Sequence, residues 1–430
     1  MPPITELTLP SGLRLYRVPI PGTRATTILV AFDAGARTER PEENGMAHFL
    51  EHLVFKGGED YPTYRDVNEA AERIGAVLNA YTSHDLVAFH ITARASRALE
   101  AADLLTDFVG RPRIDDAELD RERGVVVQEI ARADDQPAAM AEHLIDEAAF
   151  GDHPLGRSVL GPAEHIRDTF TRDGIVAFRS RRWAPGQGAA FLVGNLSGLG
   201  GANGASAAAR DRRRVVETLF GRFPEGPSPE PYELAPGLAP RVLVRERDSN
   251  QSHLRMSYRP AVDVSDPSQR AALAIYSTLL GGSMGSRLFD EIREQRGLAY
   301  SVYSVAHSYA DVPVLQLSAG LESAKCVEAF QRMREIVDEL RTEGPTEGEV
   351  QRARAYAAGA RAIAFENTGA VARHAAQQTI VHGEDVDPDR AIALLDEVSF
   401  SAVREVAASV EDRLAVACVG PHTVEELTPG

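Results

Sequence analysis

Cysteine is almost missing: 430 residues contain two, Cys326 and Cys418. Cys326 sits on a helical pattern and Cys418 in the apolar run LAVACV. Two buried, inert thiols are therefore expected rather than a disulfide, which suits a reducing compartment. Positive charge is also short: 46 Lys and Arg against 63 Asp and Glu leave a net charge of −17. Such a field repels nucleic acid and anionic membrane surfaces and disfavours both as partners. It is compatible with basic or neutral ligands, although an acidic coat more often serves solubility. No stretch approaches the roughly 18 consecutive apolar residues of a membrane span. The N-terminus, MPPITELTLPSGLRLYRV, lacks the basic region and apolar run of a signal peptide. A soluble, cytoplasmic protein is the expectation.

What is present is the composition of a globular protein, 43% hydrophobic and 25% charged, at a length that suits two or three domains. Proline and glycine cluster in FPEGPSPEPYELAPGLAP, which divides the chain almost in half. The expected organisation is a domain over 1–223, a linker over 224–238 and a second domain over 239–430. SGLGGANGASAAAR (197–210) has no apolar periodicity and is expected to be a flexible insertion; it lacks the pattern of a phosphate-binding loop. Both halves open with β-branched or alternating segments, TTILVAFDAG in one and HLRMSYRP in the other. Helix, paired strands and further helices follow in each. The fold class predicted is α+β, two related domains each with an antiparallel-rich sheet covered by helices. A repeat period of roughly 200 residues is too long for a solenoid.

Within GMAHFLEHLVFKGG, His48, Glu51 and His52 fall at helical spacing on one side. Asn44 is the expected N-cap, and Gly57 and Gly58 are expected to close the helix. Two imidazoles one turn apart make a zinc-binding pair, and the carboxylate beside them can act on a metal-bound water. Twelve histidines also allow such a pattern by coincidence. A catalytic zinc needs a third protein ligand and an open position. The candidate is Glu129 in RERGVVVQEI, on a helix with an apolar face, with 76 residues lying between it and His52. Glu122 stands two turns earlier, roughly 10 Å away. That placing suits a residue that orients ligands, or equally a solvated salt bridge to a neighbouring arginine. LNAYTSHDLVAFHITA reads as two strands joined near Ser83 to Asp85, whose edge could accept an extended peptide.

HFLEH with a glutamate at this distance resembles the inverted zinc motif of the pitrilysin/insulysin (insulinase) family of metallopeptidases. LNAYTS is similar to that family's active-site edge strand, and SRLFDEIREQRGLAYSVYS to its C-terminal-domain signature. The resemblance implies that His48, His52 and Glu129 bind Zn2+ and that Glu51 is the general base. It further assigns substrate contact to Asn79 and Ala80, and a substrate-holding role near the zinc to Arg293 and Tyr300. The second half carries no equivalent set: SRLFDEIREQ has no histidine, and Ala360 aligns with Glu129. The implied function is a zinc endopeptidase of short or unfolded polypeptides. The length points to the half-length branch, similar to the processing-peptidase β-subunit, in which two chains enclose a chamber. A homodimer is the simplest assembly, and a heterodimer with a related chain is the other. The alternative is a non-catalytic core or partner subunit, in which the zinc motif is typically degraded.

Overall fold

The β-branched and alternating runs form two sheets. A computed structural model describes residues 3–201, 206–223, 226, 230–238 and 241–429. The first sheet contains β1 (Thr5–Thr8), β2 (Arg14–Pro19), β3 (Ala25–Phe32), β4 (Val77–Thr82), β5 (Val87–Arg94) and β6 (Gly188–Gly194). Their order is β1-β2-β6-β3-β5-β4, antiparallel except for the β2–β6 pair. Near the middle, β3 sends Ile28, Val30 and Phe32 into one apolar cluster and Leu29 and Ala31 into another. Successive side chains of a strand point to opposite faces, so its unbroken apolar run marks a sheet covered on both sides.

The second sheet contains β7 (Val242–Glu246), β8 (Gln251–Tyr258), β9 (Ala299–Ser308), β10 (Pro313–Glu322) and β11 (Ala415–Gly420), in the order β7-β11-β8-β10-β9. Apart from β1, this order repeats the first sheet strand for strand, down to the parallel pair β7–β11 standing where β2–β6 stands. The duplication read from the sequence is thus a duplication of topology.

Chain order and packing part company at two helices. One compact unit comprises Met1–Ile130, Ser158–Tyr232 and Ile363–Asp389; the other comprises Ala131–Arg157, Glu233–Ala362 and Arg390–Gly430. Helix Thr368–Ala376, from the second half, packs Val371, Ala372, Ala375 and Ala376 with Leu29, Ala31, Phe191 and Val193 of the first sheet. A hydrogen bond of 2.8 Å between the Thr27 and Thr368 hydroxyls fixes its start. In return, helix Pro137–Phe150, from the first half, buries Ala141, Leu144, Ile145 and Ala148 with Ala415, Ala417 and Val419 of β11. A single boundary at 224–238 contains no hint of this exchange.

In the stretch expected to be a flexible insertion, residues 202–205 lie outside the described residues. What is described there is helical: a 3-10 turn over Leu196–Leu199, and helix Ala207–Phe220, whose Ser206 hydroxyl accepts from Ala209 N. A polar serine cap, rather than apolar periodicity, marks that start. Of the expected linker, only 226 and 230–238 are described, and they form no regular element. No described helix is long and apolar enough to cross a membrane.

Candidate metal centre

Helix Met46–Val54 carries the HFLEH sequence and is held in place by Phe49, Leu50, Leu53 and Val54, all in the core. Its start differs from expectation. Gly45, not Asn44, is the N-cap, with φ of 96°, and no side chain of its own caps the helix. The carboxylate of buried Glu39 does so instead, accepting from Gly45 N at 2.9 Å and Ala47 N at 2.7 Å. Asn44 donates to Glu39 and to the Ser158 carbonyl. A carboxylate satisfies free helix N–H groups better than a neutral amide, and the N-terminal dipole favours it.

Helix Asp116–Asp135 buries Leu119, Val126 and Ile130 and so turns Glu122 and Glu129, seven apart, to one side. Ligand atoms of His48, His52 and Glu129 lie within 4.8 Å of one another. Glu129 Oε2 is 3.4 Å from His52 Nε2 and 3.9 Å from His48 Nε2. The two imidazole rings stand 4.7 Å apart at 66°. Glu122 takes no part in that trio. Its Oε1 is 3.0 Å from His52 Nδ1 and its Oε2 2.6 Å from Lys56 Nζ. It is buried, so the alternative of a solvated arginine pair does not describe it. Glu51 stands beside the trio, and its Oε2 accepts from the Thr82 hydroxyl at 2.5 Å.

The electrostatics follow from burial and charge. Burial, with His52 nearby, pushes His48 down to about 4, which keeps it in the neutral form that binds metal. Burial would also lower His52, but the Glu122 hydrogen bond and the charges of Glu129, Glu122 and Glu51 outweigh it and raise the group. Burial raises Glu51 despite the Thr82 hydrogen bond and the His52 charge. Burial would raise Glu122 too, yet the bonds to His52 and Lys56 hold it below the usual carboxylate range.

This donor set fits a divalent ion of the zinc class. Two imidazoles and a carboxylate are a common catalytic trio, and three protein ligands leave a position open. Glu122 on His52 Nδ1 is the carboxylate–histidine support that fixes a ligating ring's tautomer. His48 Nδ1, buried, has no partner among the described residues.

Among the described residues the edge strand β4 pairs only with β5, Asn79 opposite His90 and Ala80 opposite Phe89. Asn79 is exposed, and its own Oδ1 accepts from Ala80 N. The same strand ends at Thr82, the partner of Glu51, so its open edge starts at the carboxylate. Sequence reasoning missed Thr82 and Lys56. Lys56 follows His52 by four residues, in the turn that ends the motif helix, a spacing that could have flagged it; nothing flagged Thr82.

Arg293 and Tyr300 belong to the other unit. Arg293, in the helical turn Phe289–Gln295, lies 4.8 Å over the Phe289 ring with Nε 3.6 Å from Glu294. Tyr300, 56% exposed, lays its ring over Gly320, where a Cβ would meet it at 2.7 Å. Its hydroxyl has no partner among the described residues.

Known proteins resemble this chain along most of its length. The insulinase (peptidase family M16) model matches residues 18–163, and that of the M16 inactive domain matches 210–356. An uncharacterised zinc protease of Streptomyces coelicolor is 30% identical over 429 residues, 97% of this chain and 90% of its own. The β-subunit of the mitochondrial-processing peptidase of Saccharomyces cerevisiae is 26% identical, covering 91% of this chain and 85% of its own. A Helicobacter pylori protease of known structure has the same fold, with a TM-score of 0.87 at 21% identity over 98% of this chain and all of the other. The two family matches together span well over half of the sequence, and the chain belongs to the insulinase family of peptidases.

Proposed function

We propose that the chain is a zinc-dependent endopeptidase acting on short or unfolded polypeptides. The observation that carries this reading is the convergence of His48, His52 and Glu129, with Glu51 beside them and hydrogen-bonded to Thr82. The three ligands would hold the ion, and Glu122, braced by Lys56, would fix His52. Zinc, when bound, supplies a Lewis acid that acidifies water and polarises a carbonyl. Glu51, oriented by Thr82, takes the proton of the attacking water and delivers it to the leaving amine. The open edge of β4 receives the substrate as an added strand, with Asn79 and Ala80 making the main-chain contacts. Two free thiols suit a cytoplasmic enzyme. The family resemblance suggests two chains enclosing a chamber, a homodimer first and a heterodimer with a related chain second; the native mass of the purified protein distinguishes either from a monomer.

The non-catalytic reading is not favoured by any feature of the site, since all four residues are intact. The test is chelation. Stripped protein should lose cleavage of a fluorogenic peptide and regain it with stoichiometric zinc; cleavage that survives full metal removal would refute the reading.

In this reading Arg293 and Tyr300 hold the substrate and the developing oxyanion, as the resemblance implies. A lost oxyanion donor costs on the order of 10²- to 10³-fold in turnover. Tyr300→Phe should thus lower kcat at least tenfold, with zinc content and Tm unchanged, because the hydroxyl supports no fold contact. Wild-type kcat in that variant would remove Tyr300 from the site.

A further inference from the structure

The second unit holds a cluster that the sequence reading treated as inert. Cys326, Cys418 and His422 are all buried, and one ligand atom from each lies within 4.8 Å of the others. Cys326 is the first residue of helix Cys326–Thr342, Cys418 lies within β11, and His422 lies two residues beyond the end of β11. Two thiols alone are ordinary core residues. The third member is not ordinary, because an apolar core has no use for an imidazole.

The imidazole is also fixed in orientation. Ser323 Oγ donates to the Ser249 carbonyl at 2.8 Å, and Ser252 Oγ donates to Ser323 Oγ at 2.9 Å. With its hydrogen committed, Ser252 Oγ can only accept from His422 Nε2, 2.8 Å away. The proton of a neutral ring therefore sits on Nε2, and Nδ1 presents a lone pair. Gly420 permits this arrangement, since a Cβ there would stand 2.4 Å from Ser252 Oγ. Facing Nδ1 at 3.6 Å is Glu426 Oε2, a second electron-rich atom. Two acceptors at that separation repel unless a ring proton or a metal ion lies between them, and Glu426 Oε2 also accepts from Thr423 N at 2.9 Å.

We propose that Cys326, Cys418 and His422 Nδ1 bind a thiophilic divalent cation of the zinc class, with Glu426 available as the fourth ligand. Two thiolates, a neutral imidazole and a divalent ion sum to zero charge, so the buried part of the site carries no unpaired charge. The Glu426 carboxylate sits at the solvent margin, its side chain 49% exposed. Four ligands of this kind close a tetrahedral structural site and leave no position for substrate. Both thiols lose their protons to solvent as the ion enters, with no change of oxidation state.

Cobalt(II) tests this without reference to peptidase activity. The full-length protein, expressed with cobalt and kept reduced with a phosphine, is assayed for cobalt content and near-ultraviolet absorption. His48, His52 and Glu129 contain no sulfur, so a thiolate-to-cobalt charge-transfer band can arise only from Cys326 and Cys418, the chain's two cysteines. Two cobalt ions per chain and a strong band are expected, one ion for each of the two clusters. Cys326→Ser should remove the band and one ion while peptide cleavage continues. The paired change His48→Ala with His52→Ala should retain the band and one ion, which keeps the test valid should the cysteine variant misfold. Folded wild type that takes up one cobalt and shows no charge-transfer band overturns the proposal.

Discussion

Glu51→Gln should stop peptide cleavage while leaving the metal in place. The loss expected is on the order of 10²- to 10⁴-fold in kcat, the usual contribution of a general base. Glutamine has the size of glutamate and still offers an oxygen to Thr82, so the local packing survives. It cannot take a proton. Burial raises Glu51 above an ordinary carboxylate, which improves its match to proton transfer near neutral pH. Because Glu51 lies outside the trio of ligands, zinc measured by elemental analysis should equal that of wild type. Near-normal turnover with full zinc would show that another group moves the proton.

Glu129→Gln should separate from that result by losing metal and activity together. Removing a residue that merely supports a ligand costs roughly 10- to 100-fold in metal affinity; removing a ligand should cost more. Competition with a chromogenic chelator would read the affinity directly. The Glu129 side chain is 43% exposed, and among the described residues its ion-pair contacts are the two histidines, so Tm of the metal-free variant should match that of metal-free wild type. Zinc affinity within a few-fold of wild type would take Glu129 out of the ligand set.

What the sequence disclosed, and what it withheld, divides by distance along the chain. His48, Glu51 and His52 are legible because one helical turn brings them together. Glu122 and Glu129 are legible because seven residues restore the same helix face. Thr82 was not, since its meeting with Glu51 depends on how a strand 31 residues away packs on the motif helix. Asn44 is not the cap because, although a cap normally lies beside its helix, Glu39 reaches forward to this one from a separate, earlier turn. The fold class followed from periodicity, but the exchange of helices 137–150 and 368–376 did not. An apolar helix face announces that it will be covered and says nothing about which sheet will cover it. Cys326 was not connected with Cys418 and His422 for the same reason, since it lies 92 residues before the nearer of them.

The exchanged helices also govern the order in which the protein can be completed on the ribosome. Thr27 meets Thr368 across 341 residues of chain. At about 5–20 residues per second, roughly 20–70 s separate the synthesis of β3 from that of the helix that shields it. Throughout that interval Leu29, Ala31, Phe191 and Val193, as each emerges, belong to a sheet face with no cover. Severing the polypeptide within 224–238 would therefore yield two fragments, each lacking the helix from the other that packs on its sheet.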